Sequence, residues 1–149
     1  MIKSKLNNLI NYVVYPYLFT LRAFLRSIIK VICADNYKFR LKLNIISLEI
    51  IFLTKATFYL ISGKNKSTEN FLNYSVTFPS YLEFVLLFCE IFGDQEYKIT
   101  EKISSPTIID CGCNWGMSSL YFKFLYPEAE ITAIDANPEV LKYFRKILN

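Results

Sequence analysis

Two apolar runs that each end on an acid constrain this chain more than any other feature. The first is Thr107-Ile108-Ile109-Asp110-Cys111-Gly112-Cys113-Asn114-Trp115-Gly116; the second, one helix length later, is Ile131-Thr132-Ala133-Ile134-Asp135. An apolar strand, a glycine turn, a helix and a second apolar strand form the pattern of a parallel strand-helix-strand unit, whose ligand lies at the carboxyl ends of the strands. An unbroken apolar run also predicts a central strand covered on both faces. The intervening helix is expected over residues 115–126, stopped by Pro127, and the second strand over 130–134. Asn137 is a natural N-cap and Pro138 a natural first helical residue, so a last helix follows, carrying Val140, Leu141, Phe144, Ile147 and Leu148.

The rest of the chain is of a different character. Residues 1–62 hold nine Lys or Arg against Asp35 and Glu49, a balance of +7, while residues 63–149 balance at −3. A boundary is expected where the sign changes, because residues 62–73 turn polar and read as a loop. The predicted organisation is a basic, apolar, mainly helical region over 1–62, a linker or loop over 63–78, and an α/β domain from 79 onward. In the first region Ile10, Val14, Tyr17, Leu21, Phe24, Ile28 and Val31 recur at steps of four and three, the stripe of an amphipathic helix, with Pro16 as its kink or its start. Arg22, Arg26 and Lys30 follow at steps of four on another face. Such a helix either caps its own domain with a solvated charged face or lies on an anionic membrane, a peripheral contact through residues 9–33. Residues 41–61 are rich in β-branched side chains and fit neither a strand nor a helix period throughout. A helix over 80–92 is signalled by Ser80 and Glu83 at capping-box spacing and by Gly93 as its stop.

An apolar content of 53% argues against disorder and for a buried core. Cys33, Cys89, Cys111 and Cys113 are too sparse for a secreted disulfide scaffold, which favours a cytoplasmic setting, with or without membrane association. With no histidine in the chain and one residue between Cys111 and Cys113, no metal site is expected. Lys3 and Lys5 are not followed by the apolar core of a secretory signal. The charge-free run over 6–21 is short of the roughly 20 residues a spanning helix needs. The run over 43–62 is long enough but contains Glu49 and Lys55, which argue against a span. The basic residues are not interleaved with any nucleic-acid reader motif, so no nucleic acid is expected as partner.

The chemistry of the motif selects a cofactor. Gly112 and Gly116 allow backbone to approach a ligand, and Asn114 can add a side-chain hydrogen bond at the mouth of the turn. Asp135 is placed to take both hydroxyls of a ribose. A nicotinamide dinucleotide would bring its anionic pyrophosphate to the turn, where Asp110 repels it, and the third glycine of the dinucleotide fingerprint is missing. S-adenosylmethionine instead brings an ammonium and a sulfonium, which Asp110 favours.

Residues 108–116 resemble the first motif of class I methyltransferases, and Ile134-Asp135-Ala136-Asn137-Pro138 resembles their acidic second motif. More narrowly, the Asp-x-Gly-x-Asn-x-Gly form, Ser118-Ser119-Leu120-Tyr121-Phe122, the Asn137-Pro138 turn, and the lead-in Glu90-Ile91-Phe92 with Glu96-Tyr97 resemble FkbM-type methyltransferases. Only residues 79–149 carry the resemblance. It implies a Rossmann-like methyltransferase fold, of which this chain holds the first β-α-β-α unit, and a cofactor site at Asp110, Gly112, Cys113, Asn114, Gly116, Asp135, Ala136 and Asn137. It further implies S-adenosylmethionine as cofactor and O-methylation of a small acceptor such as a sugar or other secondary metabolite. Cys113 departs from the small residue usual there. The later strands that contact adenine and select substrate are not in the chain, so no catalytic base is assigned and the chain by itself is expected to be an inactive fragment. The competing expectation is a membrane-surface or interaction protein that keeps the half-fold as a non-catalytic scaffold.

Overall fold

The computed structural model describes residues 7–8, 10–64, 67–100 and 103–144. They form a mixed helix-and-strand molecule in two compact units, Met1–Asn65 with Tyr81–Asp94, and Lys66–Ser80 with Gln95–Asn149. Residues 81–94, expected at the head of the α/β domain, thus belong to the first unit. The continuation of the last helix through Ile147 and Leu148, and the N-terminal Lys3 and Lys5, lie outside the described residues.

The first unit is helical. A π-helical turn, Ile10–Val14, runs into α1 (Tyr15–Cys33), with Pro16 as the second residue of α1. The buried side of α1 keeps only Val31 of the expected large-residue stripe. It is Thr20, Ala23, Ser27 and Val31, whereas Tyr17, Leu21, Phe24 and Ile28 are only half-buried and Val14 is exposed. Small side chains allow close helix approach, and the Tyr17 and Thr57 hydroxyls share a 2.8 Å hydrogen bond across it. The turn after α1 is tied by Lys42 Nζ, which donates to the Ile32 carbonyl at 2.7 Å.

The ambiguous run is a helix, α2 (Phe39–Ser62), ended by Gly63 at φ 65°. Its buried residues Ile45, Glu49, Phe52 and Ala56 fall at helical spacing, so tertiary packing overrides the β-branched composition. Thr54 and Thr57 turn their hydroxyls back onto the carbonyls of Ile50 and Leu53. Helix α3 (Tyr81–Phe88) continues as a π-helical turn, Cys89–Gly93, in which the Asp94 amide reaches the Cys89 carbonyl at 2.8 Å. Phe52, Phe84, Phe88 and Phe92 form the core: Phe52 meets Phe84 and Phe88 edge-on at 4.9 and 5.1 Å, and Phe88 stacks on Phe92 at 4.9 Å.

The second unit opens with a hairpin inside the segment expected as a loop. Strands β1 (Thr68–Phe71) and β2 (Tyr74–Thr77) pair antiparallel across Leu72 and Asn73, both at positive φ, as a two-residue hairpin turn requires. Then come β3 (Thr107–Cys111), α4 (Met117–Leu125), β4 (Glu130–Ile134) and α5 (Pro138–Phe144). β3 and β4 are parallel neighbours in register from Thr107 opposite Glu130 to Cys111 opposite Ile134. Met117 to Phe122 are all buried, as are Val76, Phe78 and Trp115, with the Phe78 and Trp115 rings 6.0 Å apart.

One expectation about the sheet is corrected. β3 is not covered on both faces: Thr107, Ile109 and Cys111 alternate outward with Glu130, Thr132 and Ile134, leaving Ile109 66% and Ile134 51% exposed. Asp110, on the opposite face, is buried. No described element is laid over the outward face.

Candidate functional site

The site is the pair of loops at the carboxyl ends of β3 and β4. Parallel pairing brings both ends to one edge, and backbone hydrogen bonds fix the first loop to the second strand. Gly112 N–H and Cys113 N–H both donate to the Ile134 carbonyl, at 2.7 and 3.1 Å. Gly112 stands at φ 80°, with nothing within 4 Å of where a Cβ would lie. Glycine is required there by backbone conformation, and the space beside it is open. Asn114 takes φ 49°, within the range asparagine tolerates, and Gly116 at φ 98° caps α4.

Asp135 joins the two loops. Its Oδ2 accepts the Asn114 N–H at 2.9 Å and its Oδ1 accepts the Asn137 N–H at 2.8 Å. Each oxygen is held by one backbone amide, and a carboxylate can accept about four hydrogen bonds, so acceptor capacity remains on a half-exposed side chain. Asn137 Oδ1 in turn accepts the Glu139 N–H at 3.0 Å, the expected N-cap of α5. Ala136 is exposed in the turn between them.

Asp110 looks the other way. Its Oδ2 accepts the hydroxyls of Ser118 and Ser119, at 2.7 and 2.6 Å, so it organises the first turn of α4. Those two serines were not among the site residues expected from sequence. Their signal was two adjacent hydroxyls in a helical first turn facing a strand-end acid. Cys113 is buried and its thiol donates to the Asn114 carbonyl at 3.6 Å. Burial raises its pKa, and the charges of Asp110 and Asp135 raise it further, which keeps the thiol protonated and unreactive. Cys111 is exposed. Among the described residues no group of three or more His, Cys, Asp or Glu could hold a metal ion.

The structure therefore gathers Asp135, Asn114, Asn137, Gly112 and Cys113 into one hydrogen-bonded rim and turns Asp110 toward the serines behind it. This rim can hold a polyhydroxylated ligand against open backbone. Over 59 residues the chain is 42% identical to a protein named Methyltransferase sdnD from Sordaria araneosa, a match that covers 40% of this chain. It spans 23% of the length of that curated relative. No protein-family profile matches the chain, and no solved structure matches it. Part of the chain is thus homologous to a methyltransferase.

Proposed function

We propose that this chain carries the cofactor-binding part of an S-adenosylmethionine-dependent methyltransferase with a Rossmann-like fold of the FkbM type, methylating an oxygen of a sugar or other secondary metabolite. The single observation that carries the reading is Asp135, a half-exposed carboxylate fixed at the end of β4 by amides from both loops. Two backbone anchors fix its orientation before any ligand arrives, so little order is lost on binding ribose hydroxyls. The residues present fit the cofactor. The Asp135 oxygens keep acceptor capacity for the ribose, and the open side of Gly112 leaves room that a Cβ would fill. When bound, the cofactor supplies an electrophilic methyl group; the chain's own part is to bind and orient it. Asp110 acts through Ser118 and Ser119 as a positioning residue and adds negative charge behind the loop, in keeping with a cationic amino-acid portion.

Titration calorimetry of the 149-residue chain with S-adenosylhomocysteine tests this reading. Losing hydrogen bonds to a charged acceptor is expected to weaken binding by about ten-fold or more in Asp135→Ala. Gly112→Val, which forces a branched side chain to positive φ and into the open space, should weaken it as well. Absence of heat with the folded chain, or heat unchanged by Asp135→Ala, sinks the proposal.

A further inference from the structure

We infer that the helical unit docks on an anionic membrane surface through the outer side of α2, lying in the plane of the interface rather than crossing it. This goes beyond the methyltransferase reading and does not depend on it. Leu43, Ser47, Ile50, Thr54, Phe58 and Ile61 recur along α2 at steps of four and three, opposite the buried Ile45, Glu49, Phe52 and Ala56. The stripe is free of charge, and its large members are open: Leu43 is 48% exposed, Ile50 50%, Phe58 58% and Ile61 82%. Thr54 spends its hydroxyl on the Ile50 carbonyl at 2.8 Å, which leaves its methyl to face outward. Scattered surface apolar residues need no explanation, but a stripe running the length of a 24-residue helix does.

Charge says what covers it. Within residues 10–62 the only acids are Asp35, in the turn between the helices, and Glu49, which is fully buried. The outer surfaces of α1 and α2 are therefore apolar and cationic with no acid among them. Arg22, Arg26 and Lys30 are exposed on α1 among the open Leu18, Leu25, Ile29 and Ile32, and Lys38 and Arg40 are exposed at the start of α2. Asp94, the partner of Arg26 and Lys30 at 2.5 and 3.5 Å, offsets one of their two charges, so α1 keeps a net cationic face with Arg22 outside that ion pair. An open groove on α1, lined by Asn11, Tyr15, Pro16, Leu18, Phe19 and Arg22, sets an apolar floor beside a guanidinium. An apolar stripe with cations and no exposed acid complements acyl chains beneath anionic headgroups.

Orientation follows from the same residues. By length and composition α2 could cross a bilayer. However, its inner side holds Glu49 against Ser27 of α1, so a spanning α2 would carry α1 with it. Arg22, Arg26 and Lys30 would then lie in hydrocarbon. In the interface plane the long stem of Arg22 lets its charge reach the headgroups, while Arg26 and Lys30 stay paired with Asp94.

Flotation of the full chain with vesicles tests the docking. Vesicles of phosphatidylcholine with roughly one third phosphatidylserine should carry the protein, and phosphatidylcholine alone should not; raising salt to about 0.5 M should release most of it. Phe58→Glu should cut the bound fraction about ten-fold, and Arg22→Glu less, with unchanged circular dichroism. Ile61→Trp, at a site too exposed to disturb folding, should shift its fluorescence to shorter wavelength on adding the anionic vesicles. Failure to float with anionic vesicles, or no shift at Ile61→Trp, overturns the proposal. So does a homodimer that Phe58→Glu dissociates without any vesicle binding, which would assign the stripe to a second copy. Resistance to alkaline extraction overturns the in-plane orientation.

Discussion

The two units solve one problem, a buried carboxyl beside serine, in different ways. In the helical unit Glu49 is fully buried and has one hydroxyl for company: Ser27 is hydrogen-bonded to Glu49 Oε1 and also lies 3.2 Å from the Cys89 carbonyl. Ser27 has one proton for two acceptors, and Glu49 Oε2 is buried without a hydrogen bond among the described residues. In the second unit, Asp110 receives two hydroxyls on a single oxygen. Helix ends differ in parallel. Among the described residues, helices α1 and α2 have no side-chain N-cap, while α5 has Asn137. Helices α1 and α2 draw their stability from packing, whereas the loop that opens α5 is tied by local hydrogen bonds. The first unit is thus held by apolar contact and tolerates a poorly satisfied acid, whereas the second is held at its functional edge by polar ties.

The sharpest way to break this contrast is at Gly93. A Cβ there would run into Ser27 Oγ and stand 2.5 Å from Glu49 Oε1 and 2.8 Å from Ser27 Cβ. Gly93→Ala should destabilise the helical unit by about 3 kcal/mol or more in chemical denaturation, since all of those atoms are buried. Ser27→Gly should recover part of the loss in the double variant. A Gly93→Ala protein as stable as the parent would mean that the Ser27–Glu49 contact is not built as described.

Glu49 makes the next largest effect, and it depends on pH. Burial raises its pKa from 4.5 to about 7; Ser27 opposes the shift and the nearby Asp94 adds to it. Arg26 and Lys30 are directed to Asp94, and the neighbouring Cys89 thiol is itself pushed up, first by burial and then by the charge of Glu49. A raised acid binds its proton more tightly folded than unfolded. Stability should therefore fall as pH rises from 4.5 to about 7, by at most about 3 kcal/mol, and level off above. A protonated Glu49 also resolves the hydrogen bonding, because it can donate to Ser27 Oγ and free the Ser27 proton for Cys89. Glu49→Gln should flatten the slope and be more stable than the parent at pH 8. Parallel stability–pH curves for the two proteins would refute the assignment.

The strand-helix-strand unit was legible because its signals are local: apolar runs, glycines at positive φ, Pro127 and Asn137-Pro138. The same local signals singled out the residues of the rim, but Asn114, expected to offer its side chain, enters it through its backbone N–H to Asp135. What was not legible is non-local. Glu49 reads in sequence as an interruption of an apolar run, and only folding shows that its partner lies 22 residues earlier at Ser27. The α1 stripe was assigned by residue size, whereas close helix contact chose the small residues Ala23 and Ser27. The hairpin was hidden because Leu72 occupies φ 51°, where a branched apolar side chain is not expected. That Asp110 turns to Ser118 and Ser119 follows from the registry of α4 on β3, which spacing alone does not fix.

Asp110→Ala probes the polar side of the contrast with a smaller effect. It should cost about 2 kcal/mol, because two buried hydroxyls lose their shared acceptor. Ser118→Ala and Ser119→Ala should each cost less than half of that, since each leaves the other bond in place, and the double variant should lose more than their sum. Equal, additive losses would show that the two bonds do not share one oxygen.

The smallest effect separates capping from loop closure at one residue. Asn137 contributes twice: its side chain accepts the Glu139 N–H at 3.0 Å, and its own N–H donates to Asp135 at 2.8 Å. Asn137→Ala removes only the first, because alanine keeps the backbone amide. About 1 kcal/mol should be lost, with faster hydrogen exchange at the Glu139 amide, while Asn137→Asp should restore both. The Asn137 amide itself should stay protected, since Asp135 still holds it. If its protection also falls, the α5 cap and the Asp135 rim are one cooperative unit, and the polar ties of the second unit act together as the apolar core of the first does.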